Sequence, residues 1–193
     1  MRVGRSGYWW TGRNAGGSVG MRVGRSGPAG EPEIHFRRPP QPPAVTRVCL
    51  VGSGDTDVRR ELLSRETARE ALSTYELGEP FENTLAVETV SLGAAVALLN
   101  DLNWYLVRFT DAALVLEPSV SDEEWLSRDL ASAVRNERVD PSETDEFLRI
   151  YGVEDGRLVE PLHARRTGGV PEYDLRGVEE TVVVRVTEDE FGG

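Results

Sequence analysis

From residue 45 onward, apolar and polar positions divide the chain into short periodic segments. "TRVCLVGSG" (46–54) is a nearly unbroken apolar run closing in glycines, the pattern of a buried strand entering a tight turn. In the next segment, Val58, Leu62, Leu63, Ala68, Ala71, Leu72 and Tyr75 recur at helical spacing, with Asp55 or Thr56 placed as the N-cap. "TLAVETV" (84–90) is rich in β-formers and predicts a second strand. Leu92, Ala95, Val96, Leu99 and Leu102 then form one helical stripe behind the cap residue Ser91. "WYLVRF" and "ALVLEP", on either side of Thr110 and Asp111, predict a hairpin.

Further along, Ser121 and Glu124 have capping-box spacing, and Trp125, Leu126, Leu130, Ala133 and Val134 predict the buried face of a helix. "DPSETDEFLRIYG" predicts a second helix, with Asp140 as cap, Pro141 in the first turn and Gly152 as the stop. "RLVEPL" and "ETVVVRVTEDE" complete the set as strands. The order β-α-β-α-β-β-α-α-β-β predicts one α/β domain with a mixed sheet of five or six strands and helices packed on it. The opening strand, helix and strand imply a parallel pair joined by a right-handed crossover.

Residues 1–44 do not share this patterning. "MRVGRSG" stands at 1–7 and again at 21–27, but the residues after each copy have no common apolar pattern, so the repeat is not a stacking unit. The stretch is rich in Gly, Pro and Arg and cannot bury enough apolar area to offset its ordering entropy. It carries seven Arg and two Glu, a net of +5, while the other 149 residues carry fifteen Arg and thirty-one acids, a net of −16. These features predict a disordered basic extension outside the fold. One expectation is that translation begins at Val45, read as Met from an alternative start codon, and that the duplication exists only in the DNA. The rival reading is an anion-binding arm of Arg5, Arg13, Arg25, Arg37 and Arg38 with Tyr8, Trp9 and Trp10 as stacking aromatics.

Composition narrows the setting. No apolar run approaches about twenty residues, and none resembles a secretory h-region, so neither a membrane span nor an exported protein is expected. The single cysteine, Cys49, excludes an internal disulfide and a multi-cysteine zinc site, and its apolar neighbours predict a buried small hydrophobe. Lysine is absent, and the acids outnumber Arg two to one in residues 45–193. At about 1 M salt the Debye length is only about 3 Å, which screens such self-repulsion. The expectation is a cytoplasmic protein of a halophile, with nucleic acid an improbable partner for so acidic a body.

Candidate chemistry lies in three places. Gly52, Ser53, Gly54 and Asp55 follow the first strand, where backbone N–H groups at a helix N-terminus take phosphate in open α/β sheets. There is no third glycine and no "GK[ST]", and Asp55 and Asp57 would repel an anion, so a plain turn with a helix cap competes with that reading. Arg108, predicted within a strand, either lines a pocket or pairs with an acid on the solvent face. The third place is "PLHARRTGGVPEYDLRG", a long segment with four Arg and three acids between 156 and 177. Here His163, Arg165 and Arg166 form an anion-binding set hinged by Gly168 and Gly169, or else a mobile loop held by pairs to Glu172 and Asp174. His163 is the one histidine after residue 44, which removes multi-histidine metal sites. No cofactor is assigned.

Between "TRVCLVGSGDTDVRRELLSRETAREAL", "VETVSLGAAVALLNDLNWYLVRF" and "DEEWLSRDLASAVR", the chain resembles a domain family of unknown function from halophilic archaea, over nearly all of residues 46–193. The resemblance implies habitat, extent and a start near Val45. It assigns no catalytic residue. Two function classes are therefore carried forward. One is a ligand-binding or regulatory module for an anionic small molecule. The other is a small enzyme acting on an anionic substrate through His163 with Arg165 or Arg166.

Overall fold

The computed structural model describes residues 45–54, 56–159, 161–167, 178 and 180–192. The 1–44 extension, Asp55, Gly168, Gly169, Glu172 and Asp174 lie outside the described residues. The first strand, β1 (Thr46–Gly52), is buried on both faces apart from the half-buried Arg47, as its unbroken apolar run demands. Asp57, rather than the expected Asp55 or Thr56, caps α1 (Val58–Ser64) by accepting from the Arg60 N–H at 2.9 Å. The chain leaves helical geometry at Arg65 and resumes it in α2 (Glu66–Leu72).

That break decides the topology. A single helix of that length would carry the chain to the far end of β1 for a parallel return. Two helices of seven residues, each about 10 Å long, bring it back to the end it left. β2 (Thr84–Thr89) therefore runs antiparallel to β1, with Val51 opposite Thr84 and Thr46 opposite Thr89. The expected parallel crossover does not form.

α3 (Leu92–Asp101) starts at its expected cap, Ser91, which accepts from the Ala94 N–H at 3.2 Å. "WYLVRF" is not a strand. Leu102 keeps right-handed helical angles, and the chain continues into α4 (Asn103–Phe109), burying Leu102 and Leu106 one turn apart while Trp104, Val107 and Arg108 face outward. Tertiary packing has overridden β propensity here. Thr110 and Asp111 open β3 (Thr110–Leu116), the partner of β1 on its other edge, rather than a hairpin turn.

The capping-box segment is also reassigned. Ser121 accepts from the Glu124 N–H at 3.0 Å, but no helix follows it directly. β4 (Trp125–Ser127) comes next, and Ser127 caps α5 (Arg128–Arg135). The cause lies in two adjacent bulky residues: Leu126 belongs to one core layer and Trp125 to the other. A strand sends successive side chains to opposite faces, whereas a helix turns them by only about 100°. The Asp140 cap serves a single 3₁₀ turn, Pro141–Glu143, and "FLRIYGVE" becomes β5 (Phe147–Glu154), with Gly152 inside a strand instead of ending a helix. β6 (Arg157–Leu158), β7 (Leu162–Arg165), β8 (Glu180–Arg185) and α6 (Glu188–Phe191) follow.

The result is an α/β fold on one mixed sheet of eight strands, more than the five or six expected. The strand order is β2-β1-β3-β4-β8-β5, with β6 and β7 both pairing the outer edge of β5. Every pairing is antiparallel except β4 with β8. The main helices cover one face over Leu50, Leu62, Leu99, Val115 and Leu126. The other face packs Cys49, Leu114, Trp125, Tyr151 and Val184, with Phe147, Leu158 and Phe191 at its margin. Strand directions bring the ends of β1, β4, β7 and β8 and the starts of β3 and β5 to one end of the sheet. Among the described residues, no helix is long and apolar enough to cross a membrane.

Two glycines give opposite expectations. A Cβ at Gly152 would stand 2.6 Å from Val178 Cγ1 and 3.1 Å from Val159 Cγ2, so Gly152→Ala should destabilise by about 1–3 kcal/mol in denaturant unfolding. At Gly93, in the first turn of α3, the nearest such contact is 3.7 Å. Gly93→Ala should be neutral or stabilising by up to about 1 kcal/mol. Equal losses for the two variants would contradict this packing.

Candidate functional site

The glycine turn is filled from within the protein. Asn83, at φ 56°, sends its side chain into the bend after β1. Its Oδ1 accepts from the Val58 N–H at 3.0 Å, and its backbone carbonyl accepts from the Gly52 N–H at 2.9 Å. A Cβ at Gly52 would lie 2.6 Å from the Asn83 carboxamide, so the absence of a side chain at Gly52 makes room for Asn83. The Ser53 N–H is spent on the Phe109 carbonyl at 3.0 Å, and Gly54 takes the left-handed φ of 49° that its turn requires. Only the propensity of a loop asparagine for left-handed backbone hinted at Asn83 in the sequence. Arg108 lies on the exposed side of α4, its guanidinium 5.5 Å from the Trp104 ring centre, and not in a strand.

His163, Arg165 and Arg166 are neighbours in sequence with different surroundings. Arg165 is tied to Glu146, with Nε 2.9 Å from Oε1, and lies over the Phe147 ring. Arg166 and Arg185 grip the two oxygens of Glu124, through Arg166 Nη2 at 2.6 Å and Arg185 Nε at 2.6 Å. Asp145 lies 3.5 Å from Arg166, and Thr144 Oγ1 accepts from Arg185 at 2.8 Å. Burial alone would favour protonated Glu124, but the hydrogen bonds and charges of Arg166 and Arg185 outweigh it and hold the carboxyl below its ordinary range. Arg165 and Arg166 thus already have carboxylate partners.

His163 instead meets Arg149, a residue the periodicity assigned to a helix. Arg149 donates from Nε to His163 Nε2 at 3.2 Å and from Nη2 to the Glu190 carbonyl at 3.2 Å. The His163 ring meets Phe191 edge-on at 6.0 Å. Arg149 forms one wall of a cleft of about 230 Å³ whose other walls include Asp111, Leu114, Ser127 and Glu190. The cleft exists because β4 is short. Its Ser127 is opposite Leu114, and residues 110–113 of β3 continue past it with no strand on that side.

The carboxylate of Glu190 is engaged, with one oxygen accepting from Ser127 Oγ at 2.6 Å, Thr187 N at 2.9 Å and Thr187 Oγ1 at 3.0 Å. Tyr151 lies beside Arg149. Burial raises its phenol above the ordinary range, Arg149 opposes that shift by charge and hydrogen bond, and Asp111 and Glu190 reinforce it. Cys49 is fully buried, and desolvation lifts its thiol to about 12, against a small opposing hydrogen bond from Thr84.

Residues 46–153 match the model of a family described as a family of unknown function (DUF5804). No curated protein and no solved structure matches the chain. The matched span contains Asp111, Ser127 and Arg149, while His163 and Glu190 fall beyond it.

Glu124→Gln should cost about 2 kcal/mol at pH 7, because it leaves two partly buried guanidinium groups without their carboxylate. The depressed folded-state pKa gives the sign: Glu124 contributes fully above its unfolded value of about 4.5 and loses that contribution as pH falls through the folded value. Urea titrations of the two proteins should therefore converge in acid, and a gap independent of pH would contradict the clamp. Cys49 should resist an aromatic disulfide reagent in native protein and react only on unfolding. Rapid labelling of the folded chain would show that the strand is open.

Proposed function

We propose, from the premise that the chain belongs to the DUF5804 family, that residues 45–193 form a ligand-binding or regulatory module for a small anionic molecule, held in the cleft at Arg149. Arg149 is the observation that carries the reading. Arg65, Arg157, Arg165, Arg166 and Arg185 each meet a carboxylate. Arg149 lines a cavity, is oriented by two neutral acceptors and forms no ion pair among the described residues. A guanidinium fixed in this way keeps its charge for a ligand, and little side-chain entropy remains to be lost on binding.

Binding is favoured over turnover by what surrounds His163. Its Nε2 is used in orienting Arg149, and the arginines paired with it in the enzyme reading are held by Glu146 and Glu124. The absence of lysine and the net of −16 over residues 45–193 support a setting in the cytoplasm of a halophilic archaeon, where screening offsets the repulsion.

Calorimetry with acetate and inorganic phosphate, at constant ionic strength, tests the reading. Saturable binding is expected in the wild type, weakened about 10- to 100-fold in Arg149→Gln, as loss of a charged hydrogen-bond donor implies. Arg165→Gln, outside the cleft, should leave it unchanged. Absence of binding in the wild type, or equal binding in Arg149→Gln, would overturn the proposal.

A further inference from the structure

We infer that the molecule this cleft takes is a zwitterion the size of a free apolar amino acid, with its carboxylate on Arg149 and its ammonium on Asp111. The inference rests on the anion reading above and adds the second charge and the apolar part of the ligand. Asp111 is the extra residue of a bulge: Gly52 pairs Thr110 and Val51 pairs Ala112, leaving Asp111 with no partner position on β1. Bulges of this kind turn a side chain out of the regular alternation and recur beside functional sites.

Asp111 is exposed, lines the same cleft as Arg149 and makes neither a side-chain hydrogen bond nor an ion pair with any described residue. Arg149 and Asp111 thus border one cavity without closing on each other, with Arg128, whose guanidinium donates to Asn100, and Asp129 of α5 also in the lining. A simple anion would satisfy Arg149 and be repelled by Asp111, whereas a simple cation would meet the reverse. A molecule carrying both charges satisfies each wall.

The remaining lining gives the rest of the ligand. The apolar lining comprises Leu106, Leu114 and Val184, each almost fully buried, and the exposed Val107. A cleft of about 230 Å³ is on the scale of a branched aliphatic amino acid.

Calorimetry on the full chain with three probes of related skeleton tests this: L-leucine, 4-methylpentanoate, which lacks the ammonium, and 3-methylbutylamine, which lacks the carboxylate. Leucine should bind at least 10-fold more tightly than either. Asp111→Asn should reduce leucine to the affinity of 4-methylpentanoate and leave the latter equal or tighter, and Arg149→Gln should remove both. Unchanged thermal unfolding midpoints would show that the exposed Asp111 variant is folded. If 4-methylpentanoate matches leucine in the wild type, the zwitterion is overturned while the anion reading stands. If the amine binds best and survives Arg149→Gln, both are overturned. Failure of leucine to bind, with acetate or phosphate still bound, overturns the zwitterion alone.

Discussion

The fold depends on a junction of three residues. β2, β1 and β3 form one antiparallel set, β8 and β5 with their edge strands form another, and β4 alone joins them. It makes two residue pairings on each side, Ser127 and Leu126 with β3, and Trp125 and Leu126 with β8. So short a ladder cannot hold two half-sheets by backbone hydrogen bonds alone. It is fastened at both ends by side chains. Before it, Glu124 is gripped by Arg185 from β8 and Arg166 from beyond β7; at its last residue, Ser127 binds Glu190 of α6 and caps α5. Trp125 and Leu126, buried on opposite faces, anchor the junction in both core layers.

The same shortness creates the cleft. A longer β4 would pair with residues 110–113 of β3 and fill the space; instead the chain turns into α5 at Arg128. The bulge at Asp111 and the Glu190 carbonyl that holds Arg149 both lie at this interruption. Stability and candidate site thus share a cause. The charges nearest the junction divide accordingly: Glu124 is ion-paired with both Arg166 and Arg185, while Arg149 and Asp111, bordering the gap, are not paired with each other.

Arg165 and Arg166 show why residue type alone could not locate the site. Both are arginines in a locally positive stretch, which pointed to an anion. In the structure each meets an acid distant in sequence, Glu146 for one and Glu124 for the other. With thirty-one acids after residue 44, chance supplies many such partners, and the sequence offers no means of choosing among them. Arg149 was obscured by the opposite problem. "FLRIYG" has apolar residues suited to either period, and the helical reading of the segment singles out no role for its arginine.

Local signals were legible where local physics decides. The Ser91 cap, the buried strand at Thr46–Gly52, the inert setting of Cys49 and the α/β class all follow from short-range pattern and propensity. What the tertiary structure alone decided was the partner of each strand and each charge. β2 turned antiparallel because one helix became two at Arg65, and "WYLVRF" became a helix because Leu102 and Leu106 had a core to fill. Trp125 and Leu126 became a strand because two core layers claimed adjacent side chains. Each of these outcomes depends on groups brought together from far apart in the chain, and periodicity within a segment carries no information about them.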